Sequence, residues 1–122
     1  MNDFARHAYL TCDELKDKLP PEALHAILAH PGHVPAESRF DWALYCADPV
    51  TGLITAAVLM HPSRQLVGYQ VKSLKKRFKD KRFAAGADRD QIMTCTRLGL
   101  ELDEFLALSL DAMTEIADEL GL

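Results

Sequence analysis

The sequence predicts an α+β fold: N-terminal helices, a small antiparallel sheet nucleated by a β-hairpin at about 40–60, and C-terminal helices packed on that sheet. Three observations lead there. Apolar residues recur at helical spacing towards both ends of the chain. In the middle the period changes: Phe40, Trp42, Leu44 and Cys46 alternate with Asp41, Ala43, Tyr45 and Ala47, the pattern of a strand. Between this run and the apolar run Leu53 to Met60 lies Asp48-Pro49-Val50-Thr51-Gly52, whose residue types favour a tight turn.

Taken in order, the first element starts at Thr11. Thr11-Cys12-Asp13-Glu14 has the form of a capping box, and a short helix to about Leu19 follows. Pro20-Pro21 ends it and opens a second helix, because proline is tolerated in a first helical turn. Ala23, Leu24, Ile27 and Leu28 place one apolar face on Pro21 to Ala29, and His30-Pro31-Gly32 stops it. The hairpin follows. Its second strand is apolar on both faces, which calls for cover on each side. Segment 65–71, from Gln65 through Leu66-Val67-Gly68-Tyr69-Gln70 to Val71, reads either as a third strand or as the start of a helix. In either case Lys72 to Ala84 is helical and Gly86 ends it. Val67, Val71, Leu74 and Phe78 are spaced to face a core. Asp90 to Leu98 is a helix ended by Gly99. Leu102 to Leu120 is the last, with a stripe of Leu102, Leu106, Ser109, Met113, Ile116 and Leu120 widened by Phe105, Leu108, Leu110 and Ala112.

At 122 residues the chain is expected to form one domain, 1–122. An apolar fraction of 48% with 26% charged residues is that of a folded chain and excludes a disordered one. No unbroken apolar run approaches the ~18 residues of a membrane span, and the first residues lack the layout of a secretory signal, so the expected location is the cytoplasm with no membrane partner. Cys12, Cys46 and Cys95 are odd in number and far apart, which suits reduced, buried thiols better than disulfides.

The charge distribution is the informative feature. From Arg64 to Arg82 there are eight basic residues and one acid, whereas Glu101 to Glu119 holds seven acids and no base. The candidate binding residues are therefore Lys72, Lys75, Lys76, Arg77, Lys79, Lys81 and Arg82 on the basic segment, and Glu101, Asp103, Glu104, Asp111 and Glu115 on the acidic helix. Their apolar neighbours point to a core, so the charges face water, a partner or each other.

Three functions compete. The favoured one is a small non-enzymatic interaction or regulatory protein that binds a protein partner, or a second copy of itself, through the basic segment and the apolar-acidic last helix. The alternative is nucleic-acid binding through 72–82, with Phe78 and Phe83 stacking on unpaired bases. Against it, the net charge is −4. Leu98-Gly99-Leu100 between two helices has the spacing of a helix-turn-helix, but Glu101, Asp103 and Glu104 at the start of the second helix would repel phosphates. The third function is an enzyme with a histidine and carboxylate site. The histidines are His7, His25, His30, His33 and His61, yet no glycine-rich phosphate loop, nucleophile elbow or HExxH is present. His30-Pro31-Gly32-His33 offers two metal ligands without the others that zinc requires, so no metal and no cofactor is expected.

Overall fold

The structure, a computed structural model, describes residues 8–122. Every regular element among them is helical: α1 (Tyr9–Leu15), α2 (Pro21–Ala29), α3 (Arg39–Leu59), α4 (Val71–Lys79), α5 (Arg89–Met93), a 3-10 helix (Thr94–Leu98), α6 (Leu102–Glu115) and α7 (Ala117–Leu120). The α+β expectation is wrong. The predicted hairpin, turn included, is the single 21-residue helix α3.

The reasons are local. Ser38 caps α3: its hydroxyl accepts from the Asp41 N–H at 3.0 Å, while the Asp41 carboxylate accepts from the Ser38 N–H at 3.1 Å. From there Cys46, Val50, Leu53, Ile54, Ala57 and Val58 are all buried, at steps of four, three, one, three and one. That is a helical face. The alternation at 40–47 was coincidental. Alanine at 43 and 47 suits either period, and Phe40, which a strand would have buried, is half exposed. Pro49 stands inside the helix. A proline there lacks the N–H that would reach the carbonyl four residues back. That carbonyl, of Tyr45, instead accepts from the Gln91 side-chain amide at 2.7 Å. The tertiary structure supplies the bond that the proline withholds.

Other boundaries also move. The Cys12 N–H already bonds the Ala8 carbonyl at 2.9 Å, so α1 starts two residues before Thr11, which caps nothing. α2 begins and ends as expected. Segment 65–71 is a set of turns rather than a third strand, with Leu66 and Tyr69 buried and Val67 at 68% exposure; Val71 opens α4. α4 stops at Lys79, well short of Ala84, and turns cover 80–88. The segment Asp90–Leu98 divides into α5 and the 3-10 helix, ended by Gly99 in the left-handed conformation (φ 79°). The last helix breaks at Ile116 (φ −113°, ψ 23°), two residues after Thr114, whose hydroxyl bonds the Leu110 carbonyl at 2.7 Å.

α3 is the central element. It packs on α2, α4, α5, the 3-10 helix and α6. Its buried face meets Leu66, Leu74, Phe78, Ile92, Cys95, Leu106 and Leu110 in one core cluster. α2 approaches closely because the residues it buries are Ala23, Ala26 and Ala29. By length and composition alone α3 could cross a membrane (mean hydropathy 1.4 over its most apolar window), which amends the expectation that no segment qualifies; seven of its residues are buried here.

One side chain organises the turns 80–88. The Arg89 guanidinium donates to six backbone carbonyls: Phe78 at 3.0 Å, Ala84 and Ala87 at 2.8 Å, Arg77 at 3.0 Å, Asp80 at 2.9 Å and Phe83 at 2.6 Å. Arg77 and Phe78 belong to the last turn of α4, whose carbonyls carry the negative end of the helix dipole; that of Arg77 also accepts from the Asp80 N–H at 3.2 Å. A cation is favourable there. Arg89 itself opens α5, where a cation is unfavourable, and the Asp88 carboxylate at the cap, which accepts from the Gln91 N–H at 3.1 Å, offsets that.

Candidate functional site

α4 carries the basic segment. Leu74 and Phe78 turn inward and Val71 is half buried, which directs Lys72, Lys76 and Lys79 to the opposite side at steps of four and three, one exposed row. Lys81 and Arg82 continue the positive surface in the turns beyond. Lys76, Arg77 and Lys79 occupy the last turn of α4, where cations suit the dipole. Lys75 lies on the flank towards α6 and pairs with Asp103, its ammonium 2.8 Å from each carboxylate oxygen. Both side chains are well exposed, at 37% and 60%, so the pair fixes the relation of two helices more than it adds stability, of the order of 1 kcal/mol or less. The Arg77 guanidinium lies over the Phe83 ring, its central carbon 4.3 Å from the centroid. Phe78 is buried and Phe83 is covered by Arg77, so the two aromatics expected to stack on bases are engaged within the chain.

The acidic residues divide by role. Glu104 caps α6, its carboxylate accepting from the Glu101 N–H at 3.2 Å, and Glu101 is the residue at the cap. Asp103 holds Lys75. Glu104, Leu108, Asp111 and Glu115 form an exposed line along α6 at steps of four, three and four. Among the described residues Asp111 and Glu115 have no ion-pair partner, and neither have Lys72, Lys76, Lys79, Lys81 and Arg82. The pairing of the two segments within the chain is thus one ion pair, and most of both charge sets remains open. The corner at Gly99 does not form a helix-turn-helix, since a 3-10 helix stands where the first helix would end.

Beside α4, on the flank away from α6, is a cleft of about 400 Å³. Ser73, Lys76 and Arg77 of α4 line it with Asp80, together with Ala57, Met60, His61, Pro62 and Tyr69. The His61 and Tyr69 rings meet edge to face at 5.4 Å. His61 Nδ1 accepts from the Ser63 N–H at 3.2 Å, which places the proton of a neutral ring on Nε2. Burial pushes the Tyr69 hydroxyl pKa up, and nearby Arg77 partly counters it. Of these residues Lys76 and Arg77 were singled out from the sequence as binding residues, and His61 as a histidine of the enzyme alternative. A signal was available: Ser73, Arg77 and Asp80 follow one another at steps of four and three, a polar stripe distinct from the lysine row.

A second polar centre was not anticipated. Asp41 is fully buried, and its Oδ2 accepts from the Glu37 N–H at 2.9 Å and lies 2.7 Å from His25 Nδ1. Its Oδ1 is buried without a partner. Burial pushes the Asp41 carboxyl up, but the His25 hydrogen bond and the two backbone N–H groups together hold it below the ordinary carboxylate range. The hydrogen bond to Asp41 raises the His25 pKa, against the effect of burial. The pattern Ser38-x-x-Asp41 before an apolar run could have revealed the cap; nothing adjacent in sequence reveals His25. His30 Nδ1 lies 2.6 Å from the Ile27 carbonyl and His33 stacks near Tyr9, with ring centroids 4.8 Å apart. Among the described residues no three of His, Cys, Asp or Glu stand close enough to hold a metal; His7 lies outside them. Cys46 and Cys95 are buried thiols, and burial with the neighbouring Cys95 pushes Cys46 up to about 11, far from a reactive thiolate.

Compared with known proteins, the chain matches no family model, no curated protein and no solved structure at a significant level.

Proposed function

We propose that this chain is a non-enzymatic interaction protein that docks an acidic region of a protein partner on the outer face of α4. The observation that carries this reading is the row Lys72, Lys76 and Lys79, extended by Lys81 and Arg82: five exposed cations without a carboxylate partner among the described residues, in a chain whose net charge is −4. Unpaired like charges held side by side are a cost in the free protein and an asset against an oppositely charged surface.

A protein partner is favoured over nucleic acid by what lies beside the row. The Lys75–Asp103 contact places α6 next to α4 and brings Glu104, Asp111 and Glu115 with it. A nucleic-acid backbone is anionic throughout and would meet repulsion there, whereas a protein surface can carry both signs. A surface of two signs side by side is also self-complementary about a two-fold axis, the arrangement of a homodimer.

The test compares the wild-type chain with one carrying Lys72→Glu, Lys76→Glu and Lys79→Glu. Immobilised wild-type chain is expected to retain one acidic protein stoichiometrically, with retention falling as salt rises and lost in the variant. Sedimentation reads self-association in the same pair. A strict monomer that retains no stoichiometric protein, or retains it equally after charge reversal, refutes the proposal. Salt-sensitive retention on a DNA or RNA column, abolished by the same substitutions, would establish the nucleic-acid alternative instead.

A further inference from the structure

The cleft beside α4 contains donors that the chain itself leaves unused. Tyr69 lines the cleft, and its hydroxyl makes no hydrogen bond among the described residues. The Ser73 hydroxyl and the Arg77 guanidinium, which also line it, are likewise without hydrogen-bond partners among the described residues. Ser73 and Arg77, four apart on α4, lie one above the other on the same helix face. The guanidinium is held in place by the Phe83 ring, so its fork of N–H donors is oriented before anything binds.

We infer that this cleft is the anchor of the α4 surface, taking an acidic side chain of the partner: a carboxylate on the donors and its apolar stem on Ala57 and Met60. The inference rests on the partner-binding reading above. Charge selects a carboxylate over a phosphate. The cleft has two fixed cations, Lys76 and Arg77, and one carboxylate, Asp80, whose Oδ1 is engaged by the Arg82 N–H at 3.1 Å. A single negative charge balances that set, and a phosphate dianion exceeds it. Position agrees. Around α4, residues 73 and 77 stand roughly 160° from 75, so the cleft is on the flank away from α6 and its carboxylates. Lys76 belongs to both the cleft and the outer row, which joins the anchor to the steering charges. About 400 Å³ accommodates one acidic residue with part of its neighbour.

A fluorescein-labelled peptide of alternating Glu and Leu is titrated with the full chain at low salt and read by anisotropy, beside a twin with Gln for Glu and a twin with phosphoserine for Glu. The Glu peptide is expected to bind and the Gln peptide not. Tyr69→Phe and Ser73→Ala, which alter only hydroxyls, should each weaken binding about fivefold, and Arg77→Gln more than about tenfold. Lys72→Glu with Lys79→Glu, outside the cleft, tests the surface separately. If that pair weakens the Glu peptide while Tyr69→Phe, Ser73→Ala and Arg77→Gln leave it unchanged, the cleft is not the anchor although the partner-binding reading stands. No binding of the Glu peptide overturns the cleft proposal, and the capture experiment then judges the reading on its own. Binding of the phosphoserine peptide more than about tenfold tighter overturns the choice of carboxylate.

Discussion

Replacing Arg89 by alanine removes one side chain that donates to six carbonyl oxygens, of which those of Phe78, Phe83 and Ala87 lose their donor while those of Arg77, Asp80 and Ala84 keep a backbone N–H. Five of these hydrogen bonds are partly buried and the one to Asp80 is exposed. A hydrogen bond contributes about 1 kcal/mol net, and more when a charged group donates; bonds sharing one guanidinium do not add fully, and water recovers some of the acceptors. The loss should be roughly 4 kcal/mol, a large share of the ~5–15 kcal/mol that holds a domain of this size. Arg89→Lys should recover less than half of it, because an ammonium is a compact charge without a planar fork. The measurement is equilibrium urea unfolding followed by the fluorescence of Trp42, the one tryptophan, with amide exchange to locate the change. Exchange should accelerate first across 80–88, where Ala84 is held at a left-handed φ of 48° and its carbonyl is one of the acceptors. A loss under about 1 kcal/mol for Arg89→Ala, or full recovery by Arg89→Lys, would refute the claim that these turns are built around the guanidinium.

Two further perturbations probe α3. The His25–Asp41 pair should give stability a window in pH. With the His25 pKa raised in the folded chain, its contribution is complete below the ordinary histidine value near ~6.5 and fades as pH rises through the raised one. With the Asp41 pKa lowered, its contribution is complete above the ordinary value near ~4 and fades as pH falls through the lowered one. Thermal midpoints across that range should therefore be highest between the two ordinary values, and His25→Gln should flatten the alkaline side; an unchanged alkaline slope would show that the contact contributes nothing. Gln91→Ala should cost about 1–3 kcal/mol in urea unfolding by stripping the Tyr45 carbonyl. In a Pro49→Ala background, where a backbone N–H returns to that carbonyl, the cost should shrink, and equal costs in both backgrounds would break the link between Gln91 and the proline.

What the sequence made legible was punctuation and charge. Pro21 opens α2, Gly99 ends the 3-10 helix, and α4 presents its lysines outward because Leu74 and Phe78 turn in. The central error came from reading Pro49 and Gly52 as a turn. Both are turn residues by local preference, and the run before them happens to alternate. The structure keeps the helix because Gln91, far along the chain, donates to the carbonyl that the proline leaves bare, and because a capping box at Ser38 and a buried face from Cys46 to Val58 outweigh one lost bond. The double-sided apolar run Leu53 to Met60 was the available warning, since such a run fits a buried helix as well as a strand.

The polar residues divide along the same line. Charges that face water are visible in a sequence, because nothing else in the chain determines where they point. Groups that act on backbone carbonyls or across long separations are not. Arg89 stands outside the dense basic stretch, and its acceptors are carbonyls, which every residue has. His25 and Asp41 meet only because α2 packs against the start of α3. Tyr69 and Ser73 read as ordinary loop and helix residues until the turns between α3 and α4 bring them to one cleft. The lysine row and the cleft thus bear on different properties of the proposed interface. The exposed row acts at a distance, so charge reversal there should slow association and change its salt dependence. The cleft acts on contact, so Tyr69→Phe and Arg77→Gln should leave the association rate nearly unchanged and speed dissociation.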